Sequence, residues 1–133
     1  PSLADGHITL PAGFADIHNP GYGTHAILEG TGEKAVITSW TDPRTRLEWM
    51  FHTAEPGQYG IKALVKASQP GALAIEIGEN LVHSDFGGTG EGFAEIELGQ
   101  IDISETGDLL LEVQPVRENW NGLELAHMML VKK

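Results

Sequence analysis

The residues in this chain best suited to chemistry are aromatic rings set among polar neighbours. Trp120 lies within Arg117-Glu118-Asn119-Trp120-Asn121-Gly122, and Trp40 stands just before Thr41-Asp42-Pro43-Arg44. Tyr22 sits in Pro20-Gly21-Tyr22-Gly23, and Phe86 precedes a glycine-rich stretch. Core patterning does not place a tryptophan between Arg, Glu and Asn. A ring flanked by amides, carboxylates and a guanidinium suits a ligand with an apolar face fringed by hydroxyls, as a sugar has. Each such ring adds about 1 kcal/mol or more through area burial and stacking. The competing reading of a loop tryptophan is that it closes the end of a core. Trp49 belongs with the core, because it falls inside an alternating strand.

Other constellations that could do chemistry are weaker. The histidines (His7, His18, His25, His52, His83 and His127) are scattered, with no H-E-x-x-H and no H-x-H to preform a metal site. Glycoside hydrolysis uses two acids about 5–10 Å apart. Asp16, Glu29, Asp42, Glu48, Glu91, Glu95, Glu97 and Glu124 offer candidates, and no pattern marks one as buried. Glu95 and Glu97 alternate with Ala94, Ile96 and Leu98, which points them to solvent. No serine sits in G-x-S-x-G. A phosphate cradle at Gly87-Gly88-Thr89-Gly90-Glu91-Gly92 would need a following helix and usually a lysine, and a β-type acidic segment follows instead. These absences lead to the expectation of a binding protein, not an enzyme, with no catalytic residue and no cofactor.

The elements that must position the aromatic residues read as strands. Leu47, Trp49 and Phe51 alternate with Glu48, Met50 and His52, the two-residue period of a sheet with one face on a core. Pro56-Gly57 fits the centre of a type II turn, proline fixing the first torsion and glycine supplying the positive one. Glycine and proline recur at short intervals, and few intervals between them could hold a three-turn helix. Short strands with turn signals every 8–12 residues or so indicate an all-β sandwich or barrel. The pattern predicts strands at His7 to Leu10, Phe14 to His18, Thr24 to Glu29, Lys34 to Trp40, Leu47 to His52 and Tyr59 to Ser68. It continues with Ala72 to Ile77, Glu79 to His83, Phe93 to Leu98, Gln100 to Ile103, Asp108 to Gln114 and Leu123 to Val131. The expected inward sets are Trp49 with Phe51, Ile61 with Ala63 and Val65, Leu73 with Ile75 and Ile77, Leu109 with Leu111 and Val113, and Leu123 with Leu125. The run Met128-Met129-Leu130-Val131 reads as a strand covered on both sides. Pro1 to Asp5 read as a tail to a single domain spanning 1–133.

The totals narrow the partners. The chain has 133 residues, enough for one domain, with 41 % apolar content. Nineteen acidic residues face eight basic ones, a formal charge of -11. Neutralising nucleic-acid phosphates or an anionic membrane surface needs clustered Lys and Arg, so neither partner is expected. No segment approaches the ~20 apolar residues of a membrane span. There is no cysteine, which excludes disulfides and thiolate metal sites. The chain opens at Pro1 and shows no signal peptide, which reads as a processed form or an excised domain.

Several segments, in order, resemble the galactose-binding-like β-sandwich (jelly-roll) modules that accompany glycoside hydrolases. They are Asp5-Gly6-His7-Ile8-Thr9-Leu10-Pro11-Ala12, Ala15-Asp16-Ile17-His18, Ile37-Thr38-Ser39-Trp40 and Leu47-Glu48-Trp49-Met50-Phe51. Pro56-Gly57-Gln58-Tyr59-Gly60-Ile61, Thr89-Gly90, Leu98-Gly99-Gln100-Ile101 and Gly122-Leu123-Glu124-Leu125 complete the set. The chain looks closest to the C-terminal domain of bacterial α-L-fucosidases and to carbohydrate-binding modules of family 6 type. The resemblance implies a non-catalytic antiparallel two-sheet β-sandwich. It implies a carbohydrate partner, a catalytic glycoside hydrolase domain nearby, and an extracellular or periplasmic setting. It implies a sugar site in loops at one edge, with Trp40, Phe93 and Asn121 in the roles of two aromatics and an asparagine, and Trp120 adjacent. Tyr22, Asp42, Arg44, Arg117 and Asn119 join them as candidate ligand-binding residues. Two positions depart from the pattern: Glu91-Gly92-Phe93 stands where a tryptophan is common, and Pro11-Ala12-Gly13-Phe14 stands where an acid would help hold a structural calcium. The alternative implied by the fucosidase-associated domains is a structural or interaction sandwich with no sugar site.

Overall fold

Alternating side chains build the molecule. Along Arg46–Thr53 the residues Leu47, Trp49, Phe51 and Thr53 are buried, while Arg46, Met50 and His52 face solvent. The same two-residue rhythm runs through Gly57–Lys66, Gly107–Pro115 and Leu123–Lys132. The computed structural model describes residues 3–4, 7–19, 21, 26–30, 35–53, 55–90 and 92–132.

In chain order the strands are β1 (Leu3–Ala4), β2 (His7–Pro11), β3 (Asp16–His18), β4 (Ile27–Glu29), β5 (Val36–Trp40) and β6 (Arg46–Thr53). They continue with β7 (Gly57–Lys66), β8 (Gly71–Ile77), β9 (Asn80–Phe86), β10 (Ala94–Ile103), β11 (Gly107–Pro115) and β12 (Leu123–Lys132). Short 3-10 turns cover Ala12–Phe14 and Arg117–Asn119. Two antiparallel sheets pack face to face. One has the order β3-β6-β11-β8-β9. The other runs β1-β2-β12-β5-β4, with β7 paired to both β12 and β10. This is the antiparallel β-sandwich that the sequence pattern predicts.

The core lies between the sheets. It joins Ile8 and Leu10 of β2, Leu47, Trp49 and Phe51 of β6, Ile61, Ala63 and Val65 of β7, and the inward sets of β8, β11 and β12. The Trp49 indole N–H donates to the Pro11 carbonyl at 2.8 Å, so a ring from one sheet is fastened to backbone of the other. Burying such a side chain contributes about 1.5–3 kcal/mol.

Five expectations change. Leu3–Ala4, read as tail, pair with His7 and Ile8 as a short hairpin. The strand expected from Phe14 begins at Asp16, because Ala12–Phe14 turns and buries Ala12 while Phe14 stays in solvent. The two strands expected around Gly99 are one, β10, whose register to β7 shifts between Glu97 and Gly99. A bulge absorbs the extra residue without ending the strand. The closing run is not covered on both sides: Met128 and Leu130 are buried, and Met129 and Val131 are only half-buried on the outer face. Gly57 has φ +148°, outside the type II value near +80°, and it already belongs to β7.

Candidate functional site

One end of the sandwich gathers the longer connections, 41–45, 67–70, 87–93 and 116–122. An open cleft of about 450 Å³ lies there. Its walls come from the end of β4 (Glu29), the end of β5 (Thr38 and Ser39), the end of β7 (Lys66) and the start of β12 (Asn121 and Glu124). Gly90 of the Thr-Gly loop closes one side.

Local backbone shapes this cleft. Ser39 has φ +58°, the one non-glycine residue with positive φ among the described residues. Such a torsion costs about 1–2 kcal/mol outside glycine. It sits where the β5–β12 register slips between Leu123 and Leu125, so β5 bulges at the cleft wall before Trp40 pairs again. Gly122 is required by two constraints. Its φ is +90°, and a Cβ there would stand 3.2 Å from the Trp40 carbonyl. The Thr89 hydroxyl accepts from the Ala67 N–H at 2.9 Å and donates to the Gly92 carbonyl at 2.8 Å, which holds the Thr-Gly loop against the end of β7.

The polar groups of the cleft are only partly committed to the protein. Asn121 donates through Nδ2 to the Pro70 carbonyl at 2.9 Å, and its Oδ1 makes no hydrogen bond among the described residues. The Thr38 hydroxyl is buried with no hydrogen-bond partner among the described residues. Lys66 and Glu124 face each other at 3.8 Å. A cleft lined by hydroxyls, an amide, carboxylates and an ammonium can trade hydrogen bonds with a hydroxyl-rich ligand.

The aromatic expectations divide. Trp40 is 1 % exposed, and its indole N–H donates to the Thr45 carbonyl at 3.1 Å. Its ring face is sealed, so Trp40 is a core residue and not a stacking surface. The reason is the β5–β12 pairing, which sets Trp40 opposite Leu123 and turns the indole inward. Trp120 packs on Trp40 with ring centroids 5.0 Å apart, and Phe86 meets Trp120 edge to face at 6.4 Å. Trp120 is half-buried against the core, and its indole N–H is buried without a partner. Phe93 is 42 % exposed beyond the Thr-Gly loop and does not line the cleft.

Of the remaining predicted residues, the described side chains of Asp42, Arg44 and Asn119 are not brought into the cleft. Asp42 and Arg44 clasp each other: Arg44 donates through Nη2 to Asp42 Oδ2 at 2.7 Å and through Nε to Oδ1 at 3.0 Å. Asn119 is exposed in the 3-10 turn and donates its backbone N–H to the Val116 carbonyl. Tyr22 and the side chain of Arg117 lie outside the described residues. Thr38, Ser39 and Lys66 are cleft residues that sequence reasoning missed, and it names Glu29 and Glu124 only among the candidate acids. The available signal was polar residues at strand ends, as in Thr38-Ser39 ahead of an inward Trp40.

A structural calcium does not fit the described residues. No group of three His, Asp or Glu is placed to hold a metal among them, and the turn at Ala12–Phe14 has no acid in its first turn. A titration that departs from its ordinary range, that of His127, lies away from the cleft. Burial lowers His127 below 6.5, and the Glu95 carboxylate opposes that shift.

Comparison with known proteins follows from this geometry. The family described as "Domain of unknown function (DUF5077)" matches residues 25–131. The chain belongs to this DUF5077 family. No curated protein matches it. Among solved structures, a family 35 carbohydrate-binding module from Clostridium thermocellum superposes with a TM-score of 0.74 at 17 % identity, covering 96 % of this chain and 98 % of that one. The GH26-CBM35 β-(1,4)-mannanase of Podospora anserina gives 0.72 at 15 % identity over 98 % of this chain, which spans 28 % of the mannanase. The C-terminal CBM6 of the LamC laminarinase of Zobellia galactanivorans gives 0.71 at 10 % identity, covering 95 % and 99 %. At these identities the likeness shows the fold: this DUF5077 domain has the β-sandwich architecture of galactose-binding-like carbohydrate-binding modules.

Proposed function

We propose that this DUF5077 domain is a non-catalytic carbohydrate-binding module whose sugar site is the cleft at the loop end of the sandwich. The observation that carries this reading is Asn121. It stands two residues before the last strand, lines the cleft, and makes no Oδ1 hydrogen bond among the described residues while Nδ2 braces the Pro70 carbonyl. Thr38, Ser39, Glu124 and Lys66 supply further donors and acceptors around it. Trp120 is the half-buried ring beside Asn121, and Phe93 is the exposed ring past the Thr-Gly loop. Trp40 stiffens the site from behind. Affinity is modest, on the order of 10 μM to 1 mM, because a small polar ligand exchanges water hydrogen bonds for protein ones. The setting that goes with this reading is extracellular or periplasmic, beside a catalytic glycoside hydrolase domain.

A glycan-array screen of the isolated domain, with and without chelator, tests the reading. Wild type is expected to retain at least one glycan, unchanged by chelator, and Asn121→Ala is expected to lose it with an unchanged unfolding midpoint. Loss of retention together with a collapse of stability would make Asn121 a structural residue. The Trp40–Trp120–Phe86 cluster favours a second reading, a structural or interaction sandwich in which these rings only close the core. On that reading no glycan is retained, and Trp120→Ala costs stability alone.

A further inference from the structure

Among the described residues the cleft holds one charge without a counter-charge, and it is negative. Its charged residues are Glu29, Lys66 and Glu124. Lys66 and Glu124 stand directly opposite each other across β7 and β12, with Nζ to Oε2 at 3.8 Å, so each supplies the counter-charge of the other. Glu29 ends β4, is exposed, and lies opposite Val36 in the β4–β5 register. It makes no ion pair among the described residues. The chain as a whole carries -11.

The geometry points to a glycan bearing a free amine, a hexosamine, as the favoured occupant of this cleft, with uronates and other anionic sugars disfavoured. The inference rests on the sugar-site reading above. A sugar ammonium donates charge-assisted hydrogen bonds to the Glu29 carboxylate, about twice as strong as neutral ones. A uronate meets that carboxylate and the field of the whole acidic chain. If it shares the Lys66 ammonium with Glu124, one cation then faces three carboxylates in the cleft. Because Glu29 is exposed, water and salt screen the effect, and the preference is several-fold and falls as salt rises.

The test is calorimetric titration at low ionic strength in mildly acidic buffer, with three matched probes: a glucosamine oligosaccharide, its N-acetylated counterpart and a galacturonate oligosaccharide. Wild type is expected to bind the amine form about 3- to 10-fold more tightly than the N-acetylated form, with the galacturonate weakest. The preference is expected to shrink in high salt and to vanish in Glu29→Gln. Equal affinity for the amine and N-acetylated forms, tightest binding of the galacturonate, or a preference that survives Glu29→Gln each overturns the inference. Binding of the N-acetylated probe without an amine preference overturns this inference alone and leaves the sugar site standing. If none of the probes and no glycan on the array binds, the sugar site falls and this inference with it.

Discussion

The two ends of the sandwich are built by opposite means. At the end away from the cleft the strands are joined tightly: Ile77 and Asn80 pair across the two-residue turn Gly78-Glu79. There the buried Tyr59 hydroxyl donates to the Glu55 carbonyl at 2.6 Å and meets the Thr53 hydroxyl at 3.3 Å, while Asn80 ties β9 to the Asp102 carbonyl of β10. Tyr59, Thr53 and Asn80 are thus spent on the chain itself, and a smaller cleft of about 270 Å³ lies beside the Gly78-Glu79 turn. At the cleft end the connections are longer, Ser39 is held at a positive φ, and Asn121 Oδ1 and the Thr38 hydroxyl make no hydrogen bond within the described residues. Strain and polar groups without a partner among the described residues meet at the cleft end, which supports the proposal of a binding site there.

Trp40→Ala is the strongest way to break this comparison, since Trp40 belongs to the core although it stands at the cleft end. Removing an indole at 1 % exposure is expected to cost about 3–5 kcal/mol in urea unfolding. A loss under about 1 kcal/mol would return Trp40 to the rim. Tyr59→Phe sharpens the other side. Losing a buried hydroxyl that serves two partners is expected to cost about 1–2 kcal/mol and to leave glycan retention unchanged. A change in retention would couple ends that the structure keeps apart.

The smallest effect concerns pH. His127 sits on the outer face of the larger sheet, opposite Pro11 and Leu64, with its folded pKa held below 6.5 by burial. The unfolded chain therefore takes up the proton first as pH falls. The contribution of this residue is complete above 6.5 and is lost as pH drops through 6.5 toward the folded value. His127→Gln is expected to flatten that part of the stability–pH curve, measured by urea midpoints at several pH values. An unchanged slope would place the pH dependence on other groups.

The sandwich was legible because its information is local. Period-two patterns in β6, β7, β8 and β11 name their own inward faces, and Leu47, Trp49, Ile61, Leu73 and Leu111 are all where alternation places them. Departures occur where a partner strand decides. A bulge carries β10 through Gly99, and the pairing of Trp40 with Leu123 turns an apparently loop-borne indole inward. The cleft was less legible for the same reason. Glu29, Lys66 and Glu124 stand far apart in sequence and meet only through the β4–β5 and β7–β12 pairings. Asn121 is named in the sequence through the resemblance, which implies an asparagine shortly before the last strand, and it lines the cleft.

The central claim is that the cleft end, and not the tightly closed end, receives a glycan. Backbone and side-chain amide NMR during titration with a glycan retained on the array measures this directly. Saturable shifts at Ser39, Lys66, Gly90, Asn121 and Glu124, with Gly78, Asn80 and Tyr59 unmoved, are the predicted result. Shifts centred on Gly78 and Asn80, or a cleft that stays silent while the glycan binds, would contradict it.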